Sequence, residues 1–399
     1  MSGGPLEGVR VIDLTSVVVG PICSRSLADQ GADVVKVEAP GGDLLRVMAQ
    51  GSRNAGMSGK FINFNRNKRS VCLDIKKPGG LAALKRLIAG ADVFVSNVRP
   101  AALQRAGLDY QPLAAENPRL IYCAILAFGS GGRYCNRPAY DPIIQSLSGV
   151  AGTFERAIGE PRFVPMVMTD HVSGLIAAQC IGFALYRREK TGRGEHVEVP
   201  MLENMASFVS SEHLGAATFV PPTGESGDNR LLSPDYRPVP TKDGYATIRP
   251  NTNAQAFAFF DAIGRPELKQ DPRFNSAASR TRNARDYFKV QSEGLRGKTT
   301  KEWLEIFGPL DVPAAAYNGI DDLFEDPHLK DVGFFETEEH PSEGTIRRTK
   351  VPNEFSGGMR EDKMPAPRVG QHTREVLREA GYGNAEVEAL ISDGAAQTA

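Results

Sequence analysis

Asp170 is the residue whose type and setting most invite chemistry. It stands in Met166-Val-Met-Thr-Asp170-His171-Val-Ser-Gly174, where an apolar stretch leads to one acid and a long apolar helix follows from Gly174. A helix N-terminus favours an ionised carboxylate, and an ionised carboxylate is a competent nucleophile. The same placement also suits an ordinary N-cap. His171 is adjacent, but neighbouring helix residues point apart, which argues against a dyad. A basic group comes next. Lys60, Arg66, Lys68, Arg69, Lys76 and Lys77 share one short segment with Asp74 as its only acid, and Arg99 and Arg105 follow. Such a run suits phosphate and equally a solvated face. The glycine turns Gly41-Gly42 and Gly129-Ser-Gly-Gly132 permit close backbone approach to a ligand or are plain turns. They fit neither the dinucleotide fingerprint nor the P-loop. Arg137-Pro-Ala-Tyr140-Asp141 could orient a ligand or start a helix.

Composition narrows the partners. With 47 Lys plus Arg against 48 Asp plus Glu, the 399-residue chain has a net charge of -1 and no general attraction to nucleic acid or an anionic membrane. Its longest apolar stretch, Leu175 to Tyr186, is too short to span a bilayer. The opening Met1-Ser-Gly-Gly-Pro5 lacks the pattern of a secretory signal. The five cysteines are odd in number and lack CxxC spacing, which suits a reducing cytoplasm. The six histidines form no HExxH motif, so no metal is expected.

Short apolar runs and helical patterns alternate through the first half. Val9–Asp13, Asp33–Glu38, Val71–Ile75, Asp92–Ser96 and Leu120–Leu126 read as strands. Pro21–Gln30, Pro78–Gly90 and Pro100–Ala106 read as helices, the first closed by Gly31. That alternation predicts an α/β fold, a Rossmann-like large domain with a parallel sheet. Ligands then belong at the carboxyl ends of the strands. The alternation stops after Pro200. A smaller α+β domain is expected over 236–325, with linkers at 206–235 and 326–344, and the large domain over 1–205 completed by 345–399.

At these residues the chain resembles the class III CoA-transferases, the family of formyl-CoA transferase and carnitine CoA-transferase. The resemblance rests on Leu6-x-Gly8-Val-Arg-Val-Ile-Asp-Leu14, Gly20-Pro21, Leu27-Ala-Asp-x-Gly-Ala-Asp-Val-Val-Lys-Val-Glu38, Asn65-Arg-Asn-Lys-Arg-Ser70, Asp92-Val-x-Val-x-Asn97-x-Arg-Pro100, Tyr140-Asp141, Glu189-Lys-Thr-Gly-Arg-Gly194, Asp271-Pro-Arg-Phe274, Asp311-Val-Pro313 and Asp326-Pro-His-Leu329, in family order. It implies that Asp170 is a nucleophile passing an acyl group and then CoA through covalent intermediates. Backbone amides near the glycine loops would steady the oxyanions. It further implies CoA contacts at Leu73, Lys76, Asn97, Val98, Arg105 and Tyr140. By the same resemblance acyl-CoA is the expected substrate, no metal or redox cofactor is expected, and two subunits are expected to interlock as a homodimer.

The resemblance departs at Val18, where oxalate-specific members carry Gln. It also departs at Ala39 and Pro138, which replace basic residues of some members. An α-methylacyl-CoA racemase on the same fold would carry Gly-His-Asp, where this chain has Ala139-Tyr140-Asp141. A tyrosine, with a reference pKa near ~10, is a poor base at neutral pH. A non-catalytic CoA-binding protein is the remaining alternative.

Overall fold

The computed structural model describes residues 3–48, 51–360 and 363–399, so Met1 and Ser2 of the opening lie outside it. Two compact units are formed. One comprises Met1–Ser148, Val164–Phe208 and Gly333–Ala399, the other Gly149–Phe163 and Val209–Val332.

The first unit is built on a seven-stranded sheet. Six strands are parallel: β1 (Arg10–Leu14), β2 (Asp33–Glu38), β3 (Lys68–Leu73), β4 (Val93–Ser96), β5 (Ile121–Leu126) and β6 (His196–Pro200). Their order is β3-β2-β1-β4-β5-β6, and Ala396–Gln397 from the chain end pairs antiparallel outside β3. This is the Rossmann order, in which strand succession reverses between β1 and β4. The expected α/β fold with a large parallel sheet is therefore present. The central strands are buried on both faces, as β5 shows with all six residues inside. Parallel strands covered on both sides become continuous apolar runs for that reason. Helix Pro78–Ala89 starts with proline at its first position and packs Leu84, Leu87 and Ile88 into the core.

Two further helices matter below: α1 (Val19–Asp29) and α2 (Asp141–Leu147). They are followed by the 24-residue α3 (Met168–Thr191). Gly174 lets α3 lie directly on α1, since a Cβ there would stand 2.5 Å from the Val19 carbonyl oxygen. Helix α3 begins six residues before Gly174, so Asp170 lies inside its first turn rather than ahead of it. Strand β3 begins at Lys68 rather than Val71, which draws two residues of the basic run into the sheet. Strand β6 was not anticipated, because His196-Val-Glu-Val-Pro200 alternates polar and apolar residues over only five positions.

The second unit holds an antiparallel sheet of β7 (Val239–Pro240), β8 (Tyr245–Ile248) and β9 (Ala314–Ala316). Helices around it bury Phe259, Phe260, Phe274, Trp303 and Phe307. Back in the first unit, β10 (Phe335–His340) and β11 (Gly344–Thr349) form a hairpin.

Beneath the carboxyl ends of β1, β2 and β3 lies a buried ion network. Lys36 and Lys68 have no exposed surface. Lys36 Nζ meets Asp43 Oδ2 at 2.8 Å and donates to the Thr15 carbonyl at 2.8 Å. Lys68 Nζ donates to Asn65 Oδ1 at 2.9 Å and lies 3.4 Å from Asp13 Oδ2. Burial alone would push the Asp13 carboxyl up, but the charges of Lys68 and Lys36 outweigh it and hold it below its ordinary range. For Lys68 burial wins, and its ammonium is lowered to about 8. Removing one partner from such a network strands the others in a medium that cannot solvate them. Lys36→Met should therefore lower the unfolding free energy by roughly 3–5 kcal/mol in urea titration. A loss below about 1 kcal/mol would show that the carboxylates do not depend on this cation.

Candidate active site

A cavity of about 320 Å³ opens at the carboxyl ends of β1, β4 and β5. Its wall comprises Ser16–Val19 after β1, Asn97, Arg99 and Pro100 after β4, and Ile125–Ala127 at the end of β5. Cys135 and Arg137–Tyr140 from the loop before α2, Asp170 of α3, and Met201 complete it. The cavity thus spans the β1/β4 reversal, where doubly wound sheets place their ligands.

The loop after β1 is held from below and from the side. Val17 adopts φ 67°, a left-handed conformation that costs a β-branched residue of order 1–3 kcal/mol. Its N–H donates to Asp43 Oδ1 at 3.1 Å, so the buried ion network fixes this strained turn. Across the strand reversal, Asn97 accepts from the Ser16 N–H at 3.1 Å and donates back to the Ser16 carbonyl at 2.9 Å. The two loops that form the cavity floor are thereby clasped together.

Asp170 is positioned by Asp141. The start of α3 has no cap from its own chain neighbour Val167. Instead Asp141 Oδ1 accepts from the Thr169 N–H at 2.7 Å, the Thr169 hydroxyl at 2.7 Å and the Asp170 N–H at 3.3 Å. Asp141 Oδ2 accepts from Gln145 Nε2 at 2.6 Å. One buried carboxylate, itself the first residue of α2, thus satisfies the open amides of α3. Of the two roles open to Asp141 in the sequence, ligand orientation or helix start, the structure supports the second and adds the cap.

The consequence for Asp170 is electrostatic. Its side chain is only 8% exposed. Burial, and then the nearby Asp141 charge, raise its carboxyl to about 7. The helix start was expected to keep it ionised; desolvation and a like charge outweigh that field. His171 turns away, its ring edge-on to Phe64 with centroids 5.7 Å apart, and burial lowers its imidazole.

The other expected site residues divide. Asn97 and Tyr140 line the cavity with Asp170. Val98 lines a separate hollow with Tyr110, Tyr122 and His196. Leu73 is a buried core residue, while Lys76 and Arg105 stand exposed. Three of the six residues of the basic run are drawn inside, while Lys60 and Lys76 remain exposed. Arg66 pairs with Asp29 at 2.8 Å and Arg69 with Asp33 at 2.7 Å, and Lys68 is sealed inside. Three of the glycine-loop amides are engaged within the protein. Gly129 N–H donates to Glu203 at 2.9 Å, Ser130 N–H to Glu198 at 2.8 Å, and Gly132 N–H back to the Gly129 carbonyl. Sequence reasoning missed the Lys36–Asp43 support and the strained Val17. A signal for the first was present: Lys36 in the middle of an apolar strand requires a buried partner.

Among the described residues no group of three or more His, Cys, Asp or Glu side chains could hold a metal ion. Nor is any helix there long and apolar enough to cross a membrane.

Comparison with known proteins follows this geometry. The profile of CoA-transferase family III matches residues 6–373. The chain is 32% identical to succinyl-CoA:glutarate CoA-transferase of Mus musculus, over 98% of this chain and 90% of that one. It is 30% identical to succinate–glutarate CoA-transferase of Agrobacterium fabrum, over 94% of this chain and 95% of that one. Among solved structures, a CAIB/BAIF family protein from Brucella suis superposes with a TM-score of 0.80 at 28% identity, over 95% of this chain and all of that one.

The raised Asp170 carboxyl makes a stability prediction. The folded state holds this proton up to about pH 7, whereas the unfolded chain releases it near 3.8. Stability contributed by the site is therefore present at low pH and lost as pH rises from about 4 through 7. Asp170→Asn removes the titration and should raise the melting temperature at pH 8 well above its effect at pH 5. The excess between the two pH values corresponds to roughly 2.5 kcal/mol. Equal shifts at both pH values would refute the electrostatic strain.

Proposed function

The chain belongs to CoA-transferase family III, and from that premise we propose that it moves CoA from an acyl-CoA to a free carboxylic acid through Asp170. The observation that carries this reading is the placement of Asp170 in the switch-point cavity. No hydrogen bond among the described residues engages its carboxylate, while Asp141 fixes the backbone that bears it.

The chemistry runs as linked anion exchanges. The Asp170 carboxylate attacks the thioester carbonyl, the C–S bond breaks, and CoA thiolate leaves a mixed anhydride. The thiolate then attacks the Asp170 carbonyl, releasing the donor acid and leaving an aspartyl-CoA thioester. The acceptor carboxylate attacks that carbonyl and again displaces thiolate. Finally the thiolate attacks the acceptor acyl carbonyl, and Asp170 departs as carboxylate. Covalent catalysis divides one difficult exchange into easier ones. Each step trades a carboxylate for a thiolate, so no proton donor, metal or redox group is required. That fits a His171 that faces away.

Leu73, Lys76, Asn97, Val98, Arg105 and Tyr140 are the proposed CoA contacts, as the family resemblance implies. The relatives named for succinyl-CoA and glutarate suggest a short dicarboxylate as one exchange partner. The free cysteines suit a cytoplasmic setting. We also infer a homodimer. Leu175, Phe183 and Tyr186 on α3 are more than half exposed, at 54%, 64% and 68%, which gives one helix a stripe of uncovered apolar side chains.

Incubation with acyl-CoA and mass spectrometry should place a covalent adduct on Asp170, and Asp170→Ala should abolish exchange. An adduct elsewhere, or exchange surviving in the variant, overturns the assignment. The nucleophile must be ionised, so kcat/KM should rise with pH up to about 7 and then level off, following the raised Asp170 carboxyl. A flat profile from pH 5 to 8 would contradict this role. Light scattering should give twice the 43.1 kDa chain mass, and Phe183→Glu should shift the protein toward monomer. A monomeric wild type would exclude the dimer.

A further inference from the structure

We propose that Arg99 and Arg137 form an anion subsite that binds the far carboxylate of a dicarboxylate acyl group while its near end reacts at Asp170. The inference rests on the CoA-transferase reading of the same cavity and names the residues that select its substrates.

The cavity lining carries three charged side chains, Asp170, Arg99 and Arg137. Elsewhere in this unit buried arginines are paired: Arg46 with Glu38 at 2.7 Å, Arg66 with Asp29 at 2.8 Å, Arg348 with Glu336 at 2.9 Å. Arg99 and Arg137 are instead exposed side chains of the cavity lining, and among the described residues neither guanidinium forms an ion pair or a side-chain hydrogen bond with the protein. Their donor forks are available to a ligand carboxylate, for which the planar guanidinium is well matched.

Arg137 is held in place without being neutralised, while for Arg99 it is the backbone that is positioned. The Arg137 guanidinium lies 4.3 Å from the centroid of the Tyr134 ring, which packs edge-on against Phe128 at 5.6 Å. Arg99 is the N-cap of helix Pro100–Arg105 and follows Asn97, the residue clasped to Ser16. The rest of the wall argues in the same direction. Val17–Val19, Ile125–Ala127 and Met201 supply apolar side chains that would leave a second carboxylate without a partner.

The exchange chemistry makes one subsite sufficient. Donor and acceptor acyl groups occupy the same position beside Asp170 in turn, each joined to it as an anhydride. Cations that line the same cavity as Asp170 can therefore read both acids, and a monocarboxylate of equal length leaves them unsatisfied. The phosphates of CoA are the other anion that these arginines could meet, and the test separates the two.

Exchange between succinyl-CoA and glutarate is compared with exchange between butyryl-CoA and valerate, in wild type, Arg99→Gln, Arg137→Gln and the double variant. Wild type should favour the dicarboxylate pair. In the variants kcat/KM for the dicarboxylates should fall roughly 10- to 100-fold further than for the monocarboxylates. Arg137→Lys, which keeps the charge but loses the fork, should recover part of the difference. Equal losses on both pairs, with a raised KM for the CoA thioester, would assign the arginines to the CoA phosphates and overturn the proposal. So would a wild type indifferent to the second carboxylate. Both substituted residues are exposed, and an unchanged melting temperature checks folding. The Asp170 adduct in the wild type is scored separately. If it forms with either acyl-CoA, the transferase reading stands even where the subsite fails.

Discussion

Two lysine ammonium groups in the middle of a parallel sheet set the terms for the rest of the first unit. Lys36 and Lys68 have no contact with solvent, so each charge must be met by carboxylates and carbonyls within reach. Lys36 meets Asp43 and the Thr15 carbonyl, and Lys68 meets Asp13 and Asn65. Thr15 and Asp43 lie on the loops that follow β1 and β2, while Asp13 lies in β1 and Asn65 ends the helix Gly59–Asn65. Satisfying the lysines therefore dictates the path of those loops. Asp43 in turn holds the Val17 amide, which keeps a β-branched residue in a left-handed turn at the cavity floor. The network is costly to desolvate and weak as a source of net stability, but it specifies one arrangement of the loops above it.

The same reasoning applies one layer higher, with the opposite sign. Asp141 satisfies the open end of α3, and that favourable contact brings a second carboxylate close to Asp170. The fold tolerates a buried acid whose ionisation it opposes. A carboxylate whose acid is poised near neutral pH is a stronger nucleophile, though a poorer leaving group, than one held at the usual carboxylate value, since basicity and nucleophilicity rise together. Instability at this point and the reactivity we propose share one cause, the desolvated pair of acids at the helix start.

Much of this was legible in the order of residues. Val9–Asp13, Asp33–Glu38 and Leu120–Leu126 announced strands, and Pro78 and Pro100 announced helix starts, because apolar period and proline placement are local properties. Asp170 stood out by its isolation between two apolar stretches. Its neighbour His171 was correctly set aside from it, since helix geometry alone separates adjacent side chains. Lys68 and Arg69 were read as candidates for phosphate or solvent, while the sheet turned them inward to Asp13 and Asp33. The amides of Gly129 and Ser130 likewise found acids 68 and 74 positions away rather than a ligand.

The sequence by itself determined the α/β alternation, the expectation of a ligand at the carboxyl ends of the strands and the family pattern around Asp170. These depend on residue period and on motifs a few positions long. Only the tertiary structure decided the electrical state of that site. The proton affinity of Asp170 depends on Asp141, 29 positions earlier in the chain, and on the depth at which Gly174 lets α3 settle on α1. Electrostatic energies follow distance and burial in space, and neither quantity is contained in the spacing of residues along the chain.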